Sequence, residues 1–177
     1  MAATAKTASK TKSAKARTTR RTGRRDPLAI SLLKKDHREV ATMFDEYEQL
    51  EGDAEKLALF NKIALALKVH TQIEEEILYP EERGEVDDDL LDEAYVEHDG
   101  AKKLIAEIEA MKPGDQYYDA KVKVLGEYIT HHVKEEEQPG GLFSQAKKGD
   151  EDHDAMGERL KARKEELMAQ YGGKAAH

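Results

Sequence analysis

Six side chains in this sequence have the types and spacing for metal chemistry: His37, His70, Glu74, His98, His132 and Glu136. Glu74 follows His70 by four residues, and Glu136 follows His132 by four, so each pair lies on one face of a helix. The arrangement repeats. His37 and His98 are 61 positions apart, and His70 and His132 are 62 apart. The chain thus holds two copies of a helix pair, the first helix bearing His and the second His-x-x-x-Glu. Imidazole and carboxylate without sulfur suit iron, manganese or zinc. With no cysteine in the chain, a thiolate site, a disulfide framework and a Cys nucleophile are all excluded.

Four amphipathic helices with short loops must position these residues. Asp26-Pro27 reads as a helix start, with Asp26 as N-cap. Ile30, Leu33, His37, Val40, Ala41 and Phe44 then recur at steps of three or four towards Glu51. Asp53 is expected to cap a second helix, whose stripe is Leu59, Ile63, Ala66, Leu67, His70, Ile73, Glu74 and Ile77, ending near Tyr79-Pro80. Asp87-Asp88-Asp89 opens a third, with Leu91, Ala94, Tyr95, His98, Ala101, Ile105 and Ile108 inward. Pro113-Gly114 ends it. Asp115 is expected to cap the fourth, which carries Val122, Leu125, Ile129, His132, Val133 and Glu136 and stops at Pro139-Gly140-Gly141. A fifth, weaker helix spans about 150–171, with Met156, Leu160, Leu167 and Met168 as its stripe. The expected fold is all-α: an up-down-up-down antiparallel four-helix bundle over residues 26–145, an appended C-terminal helix over 150–171, and a disordered basic N-terminal tail over 1–25.

Loop positions fix depth. With turns centred near 52, 84 and 114, the four histidines lie 14 to 18 residues from the nearest turns. Their levels therefore agree to about 5 Å at 1.5 Å per residue. Four imidazoles and two carboxylates converging inside a bundle carry a large desolvation cost unless a cation coordinates them. The donor count exceeds what one tetrahedral zinc needs, and two metals bridged by the two carboxylates account for the set. His131 with Glu135 has the same four-residue step as His132 with Glu136. The stripe of Leu125 and Ile129 favours His132, while His131 would align with Tyr128 and Val124. A ferritin-like di-iron bundle uses Glu-x-x-His, and that pattern is not found here.

The full pattern, with the local strings LLKKDHREV, HTQIEEEILYP, EHDGAKKLI and HHVKEEE, resembles the hemerythrin-like (HHE cation-binding) family over roughly residues 28–143. The final helix, with GERLKARKEELM, resembles the segment that follows this domain in many bacterial members. The resemblance implies a non-haem centre of two iron ions (Fe2+/Fe3+) with carboxylate and oxo or hydroxo bridges. His37, His70, His98 and His132 would be its terminal ligands, and Glu74 and Glu136 its bridges. Only four histidines match where invertebrate oxygen carriers of this superfamily use five, so Glu75 or Glu135 is a candidate extra ligand. Tyr95 and Tyr128, one turn before His98 and His132, are candidates to support the donors. His153 and His177 lie outside the pattern and read as surface residues. The fourth helix lacks the aromatic-Pro ending seen as Tyr79-Pro80 in the second.

Three functions fit such a site. The first is a binding protein that binds or senses O2, NO or peroxide, or iron itself. The second is a di-iron peroxidase or oxidase of stress defence. The third is an iron-linked protein associated with nucleic acid through its tail. The chain's net charge of −8 hides a split. Residues 1–25 hold nine Lys or Arg and no acid, so the remainder carries −17. The tail's composition resembles the basic tails of chromatin-associated proteins, and its expected partner is a polyanion bound weakly and in a salt-sensitive way. No apolar run approaches the roughly 20 residues needed to span a bilayer. No apolar segment follows the basic start, as a signal peptide would require. The expected location is cytoplasmic. Trp is absent and aromatics make up 6%, which leaves little material for a base-stacking platform.

Overall fold

The computed structural model describes residues 25–174. The tail reading therefore falls, but for Arg25, outside the described residues, as does His177. Four long helices build the bundle: α1 (Leu28–Tyr47), α2 (Asp53–Ile73), α4 (Asp88–Glu109) and α5 (Tyr118–Glu137). Each packs on its neighbours in the order α1, α2, α4, α5 and back to α1. A π-helical turn over Glu74–Leu78 and the short α3 (Tyr79–Glu82) continue α2 without a break. The short α6 (Leu142–Ala146) follows α5, and α7 (His153–Lys174) lies across α1 and α2. No strand forms among the described residues; the one bridge pairs Arg83 with Val86. No helix of the described residues is long and apolar enough to cross a membrane.

Three helix starts differ from the sequence reading. Asp26 is not the cap of α1. Its carboxylate pairs with Lys34 and Lys147, both at 3.0 Å, and the Leu28 amide donates instead to Asp154 Oδ1 of α7 at 2.8 Å. Gly52, in extended conformation, precedes α2, so Asp53 is its first helical residue and favours the helix through the dipole. Asp115 turns back to accept from the Lys112 amide at 2.8 Å, and α5 begins after Tyr117, which takes the left-handed φ of 72°. Asp87 does cap α4, accepting from the Asp89 amide at 3.1 Å.

The apolar residues form two cores. One holds Val40, Phe60, Ile63, Leu67, Ala101, Ile105, Val122, Leu125 and Ile129. The other holds Ile30, Leu33, Ile73, Leu78, Tyr79, Leu91, Leu142 and Phe143, and is completed by Met156, Leu160 and Leu167 of α7, all inaccessible to solvent. Met168, expected in that stripe, points outward and is 40% exposed. Burying an aliphatic or aromatic side chain of this kind contributes about 1.5–3 kcal/mol, so α7 is held chiefly by its three apolar anchors. Gly157 permits the docking: a Cβ there would lie 2.6 Å from the Ala29 amide nitrogen. Along each bundle helix the buried histidine falls between the two cores. His37 lies between Leu33 and Val40, and His70 between Leu67 and Ile73.

Candidate metal centre

Between the two cores lies a polar layer. His37, His70, His98 and His132 are 1–6% exposed, Glu74 is fully buried, and Glu136 is 2% exposed. The rings meet in pairs. His37 Nε2 is 3.0 Å from His70 Nε2, and His98 Nε2 is 3.1 Å from His132 Nε2. Each carboxylate reaches both pairs. Glu74 Oε2 lies 3.2 Å from His70 Nε2 and 3.4 Å from His98 Nε2. Glu136 Oε2 lies 3.4 Å from His37 Nε2 and 3.7 Å from His132 Nε2. His131 is on the surface, 61% exposed, with Glu135 at 3.2 Å. Of the two neighbouring histidines, His132 is therefore the one in the layer.

The outer nitrogens explain how the rings are aimed. His37 Nδ1 faces Glu137 at 2.7 Å, His132 Nδ1 faces Glu97 at 2.7 Å, and His98 Nδ1 faces Glu75 at 3.0 Å. A carboxylate that accepts from the Nδ1 N–H keeps the proton on that nitrogen and turns the Nε2 lone pair inward, the arrangement a cation ligand needs. Asp36 stands in the same relation to His70 but at 3.7 Å, too long for a hydrogen bond. Lys164 of α7 holds that carboxylate at 2.5 Å. These supporting acids follow the internal repeat. Asp36 and Glu97 precede a layer histidine, and Glu75 and Glu137 follow a layer glutamate. Glu75 is thus a ring support, further held by Lys102, rather than an additional donor. Glu135 faces His131.

A tyrosine completes the layer. Tyr79, fully buried, places its hydroxyl 3.0 Å from Glu136 Oε1, 3.2 Å from His98 Nε2 and 3.5 Å from Glu74 Oε2. Five residues separate it from Glu74. In a regular α-helix that step turns about 140° away from the starting face, by 3.6 residues per turn. In the π turn the Tyr79 amide donates to the Glu74 carbonyl, five residues back, which brings both side chains to the same side. The same turn absorbs the missing amide of Pro80, which is why the chain stays helical past the expected stop. Tyr95 does not reach the donors: it packs edge-on against Tyr79 with ring centroids 5.2 Å apart. Tyr128 is 37% exposed, over Gly100. In the second half, Phe143 of α6 stacks on His37 at 5.7 Å and 8°, as Tyr79 covers His98 at 5.4 Å. The missing aromatic-Pro ending of α5 is replaced in this way, seven residues beyond Glu136.

Titration reflects the crowding. Burial, and then the neighbouring Glu136 charge, pushes Glu74 well above the carboxylate range. Glu136 is held down at about 2: burial opposes this, and the surrounding rings, His132 and His37 foremost, outweigh it. Burial drops His70 to about 4, only partly offset by Asp36. For His37, burial is overcome by Glu136 and Glu137, which raise it to about 9. Glu74 Oε1 and Glu136 Oε2 have no hydrogen-bond partner. Inward lone pairs at 3.0–3.1 Å and unpartnered buried oxygens are the donor set of a cation site. The donors fall into two groups, His37 with His70, Glu74 and Glu136, and Glu74 with His98 and His132, each with ligand atoms within 4.8 Å of one another.

Fold and donors together define an all-helical bundle built around a buried cation-binding layer. The family model of the hemerythrin HHE cation binding domain matches residues 28–139, and the chain belongs to that family. A solved structure of a hemerythrin HHE cation binding domain-containing protein from Mycobacterium kansasii shares the fold, with 21% identity and a TM-score of 0.67, covering 79% of this chain and 86% of that one. A curated protein of Nostoc sp., a DNA nickase, is 27% identical over 146 residues, 81% of this chain. The chain spans about two fifths (41%) of that relative's length.

Proposed function

We propose that the layer holds two iron ions and that the protein binds a small ligand there, O2, NO or peroxide. The observation that carries this reading is the pair of donor groups that share Glu74, with Glu136 Oε2 at 3.4 Å from His37 in one and 3.7 Å from His132 in the other, and with Glu74 Oε1 and Glu136 Oε2 unpartnered. His37 and His70 would serve one ion, His98 and His132 the other, with the two carboxylates between. Bound iron would supply the redox couple and open coordination that a diatomic ligand needs. Donors rich in imidazole and poor in carboxylate favour reversible binding over oxidation of substrate.

The rest of the chemistry belongs to the chain. Glu137, Glu97 and Glu75 keep the Nδ1 protons and fix ring orientation. The Tyr79 hydroxyl donates to Glu136 and covers the His98 side, whereas the phenyl ring of Phe143 on the His37 side offers no polar atom. A groove of about 780 Å³ between α1 and α5 reaches His37; Ala41, Phe44, Ile129 and Val133 line it together with the exposed Asp45, Glu48, Lys123 and Glu127. It gives a small neutral ligand an approach to the half-site without the phenol.

The test is anaerobic loading with Fe2+, then cycles of air and argon. The expected result is a visible band that appears with oxygen and reverses on its removal. A chain holding iron that gives no reversible band contradicts oxygen binding. Peroxide consumption that disappears in His70→Ala would move the reading to an enzyme of stress defence.

A second reading adds nucleic acid as a partner. Its support is the nine Lys or Arg of residues 1–25 and the likeness to a protein described as a DNA nickase. Cationic contacts of this kind weaken steeply with salt. Deleting residues 1–25 should abolish salt-sensitive retention on DNA and leave iron content unchanged; retention that survives the deletion removes this reading.

A further inference from the structure

Outside the buried layer, α4 and α5 bring a third group of donors together at the surface. His131 Nε2 lies 3.2 Å from Glu135 Oε1 and 3.7 Å from Glu97 Oε1. The three ligand atoms lie within 4.8 Å of one another. His131 and Glu135 are one helical turn apart on α5, so both project to the same side, and Glu97 meets them from α4. Exposure is graded inward: His131 61%, Glu135 27%, Glu97 11% for the side chains.

Two further observations connect this group to the interior. Glu97 belongs to both levels. Its Oε1 faces His131, while its Oε2 accepts from the Nδ1 N–H of the buried His132 at 2.7 Å. A small cleft of about 10 Å³, walled by Leu90, Ala94 and Leu142, also lies between Glu93, Glu97 and Glu135 on its outer side and His132 and Glu136 within. At its inner end stands Glu136, 2% exposed, whose Oε2 has no hydrogen-bond partner. Three carboxylates along this cleft, with His131 beside two of them at the surface and an unpartnered buried carboxylate at the base, make a path that favours a divalent cation at each level.

We infer that His131, Glu135 and Glu97 form a low-affinity surface site for a divalent cation, Fe2+ in particular, which delivers the ion along this cleft to the buried layer. The inference rests on the proposed metal centre for its destination. Entry here is separate from the groove on the opposite side of α5, so a charged ion and a neutral ligand approach the layer by different routes. Exchange of ligands carries the ion inward: His131 and Glu135 release it as His132 and Glu136 take it up, with no change of oxidation state.

The experiment uses the full chain. With the buried layer first filled, Zn2+ is titrated by calorimetry. One further, weaker equivalent is expected, and it should be lost in both His131→Ala and Glu135→Gln. Anaerobic Fe2+ uptake by the metal-free chain is then followed by stopped flow. Both variants should load roughly tenfold more slowly, the scale of electrostatic focusing at a charged cleft, and reach the same final iron content. Glu165→Gln, the same charge change at an exposed residue of α7, should load at the wild-type rate. A wild-type chain with no further equivalent, or one whose equivalent persists in both variants, overturns the site. Unchanged uptake rates, or an equal slowing in Glu165→Gln, overturn delivery. A wild-type chain that takes up no buried metal would overturn the metal centre itself, which the normal final content of the variants distinguishes from failure of the surface site alone.

Discussion

Among the described residues, histidine and carboxylate are buried together in two places, and they come to opposite ends. In the central layer, four rings face each other in pairs at 3.0–3.1 Å around two glutamates, of which Glu74 Oε1 and Glu136 Oε2 have no partner. At the junction of α3 and α7, His153 and Glu82 meet as a single pair at 2.6 Å, with His153 6% exposed and Glu82 fully buried. His153 was expected at the surface, since it lies outside the repeated pattern. The α7 anchors Met156 and Leu160 draw it inward, and Glu82 awaits it because the chain stays helical past Pro80. The contrast teaches what separates a ligand from a structural residue. Burial and residue type are the same in both places. The difference lies in the company the ring keeps: in the layer the Nε2 atoms face each other in pairs at 3.0–3.1 Å with two carboxylates shared among four rings, whereas His153 Nε2 meets a single carboxylate.

The largest expected effect breaks the layer. Glu74→Met should cost at least about 100-fold in metal affinity, beyond the range for supporting residues. The same change should raise the stability of the metal-free chain by about 1 kcal/mol, because an apolar side chain replaces a buried carboxyl whose Oε1 has no partner. Metal analysis and denaturant unfolding with chelator present check both signs. Destabilisation of the metal-free variant would show that Glu74 is a structural residue like Glu82.

Next comes the pair. His153→Ala should leave metal content unchanged and destabilise the chain by about 3 kcal/mol at pH 7, since it strands a buried carboxylate. The effect should shrink at acid pH. Burial raises the Glu82 carboxyl, with His153 opposing. A raised native value means that this group favours folding below its unfolded value, and that the advantage fades as pH climbs through the folded value. Loss of the partner is therefore felt most where Glu82 must ionise. Unfolding of the variant at pH 5 and pH 7 measures it, and Glu82→Gln should flatten the difference.

Within the layer, the supports should rank by their hydrogen bonds. Glu97→Gln, at 2.7 Å from His132, should weaken metal binding by roughly 10–100-fold, whereas Asp36→Asn, with its acid 3.7 Å from His70 and held by Lys164, should weaken it less. Competition with a chelator of known affinity orders them. The smallest effect is that of Tyr79→Phe. It should keep the metal and lose about 1 kcal/mol, the worth of a buried hydrogen bond, in thermal unfolding.

Much of this was legible in the sequence where a period carries it. The 61- and 62-residue repeat, the four-residue steps and the turn positions place His37, His70, His98 and His132 at one level, and they share the layer with Glu74 and Glu136. The choice of His132 over His131 followed from Leu125 and Ile129, and both of these are buried. What escaped lies off the period. Tyr79 stands five residues from Glu74, and only a π turn brings it inward. Phe143 belongs to a helix of five residues, too short to show a stripe. Asp36, Glu97 and Glu137 sit beside a donor in sequence, on a flank that an inward-facing stripe does not count. Their signal was the repeat itself, in which an acid adjoins the same donor in both copies.

Metal content tests the central claim most directly. The full chain, stripped, reloaded anaerobically with Fe2+ and desalted, should carry two irons, one for each donor group, and both should be lost from Glu74→Met and from Glu136→Met. One iron per chain, or two that persist in either variant, would contradict a paired centre joined by these carboxylates.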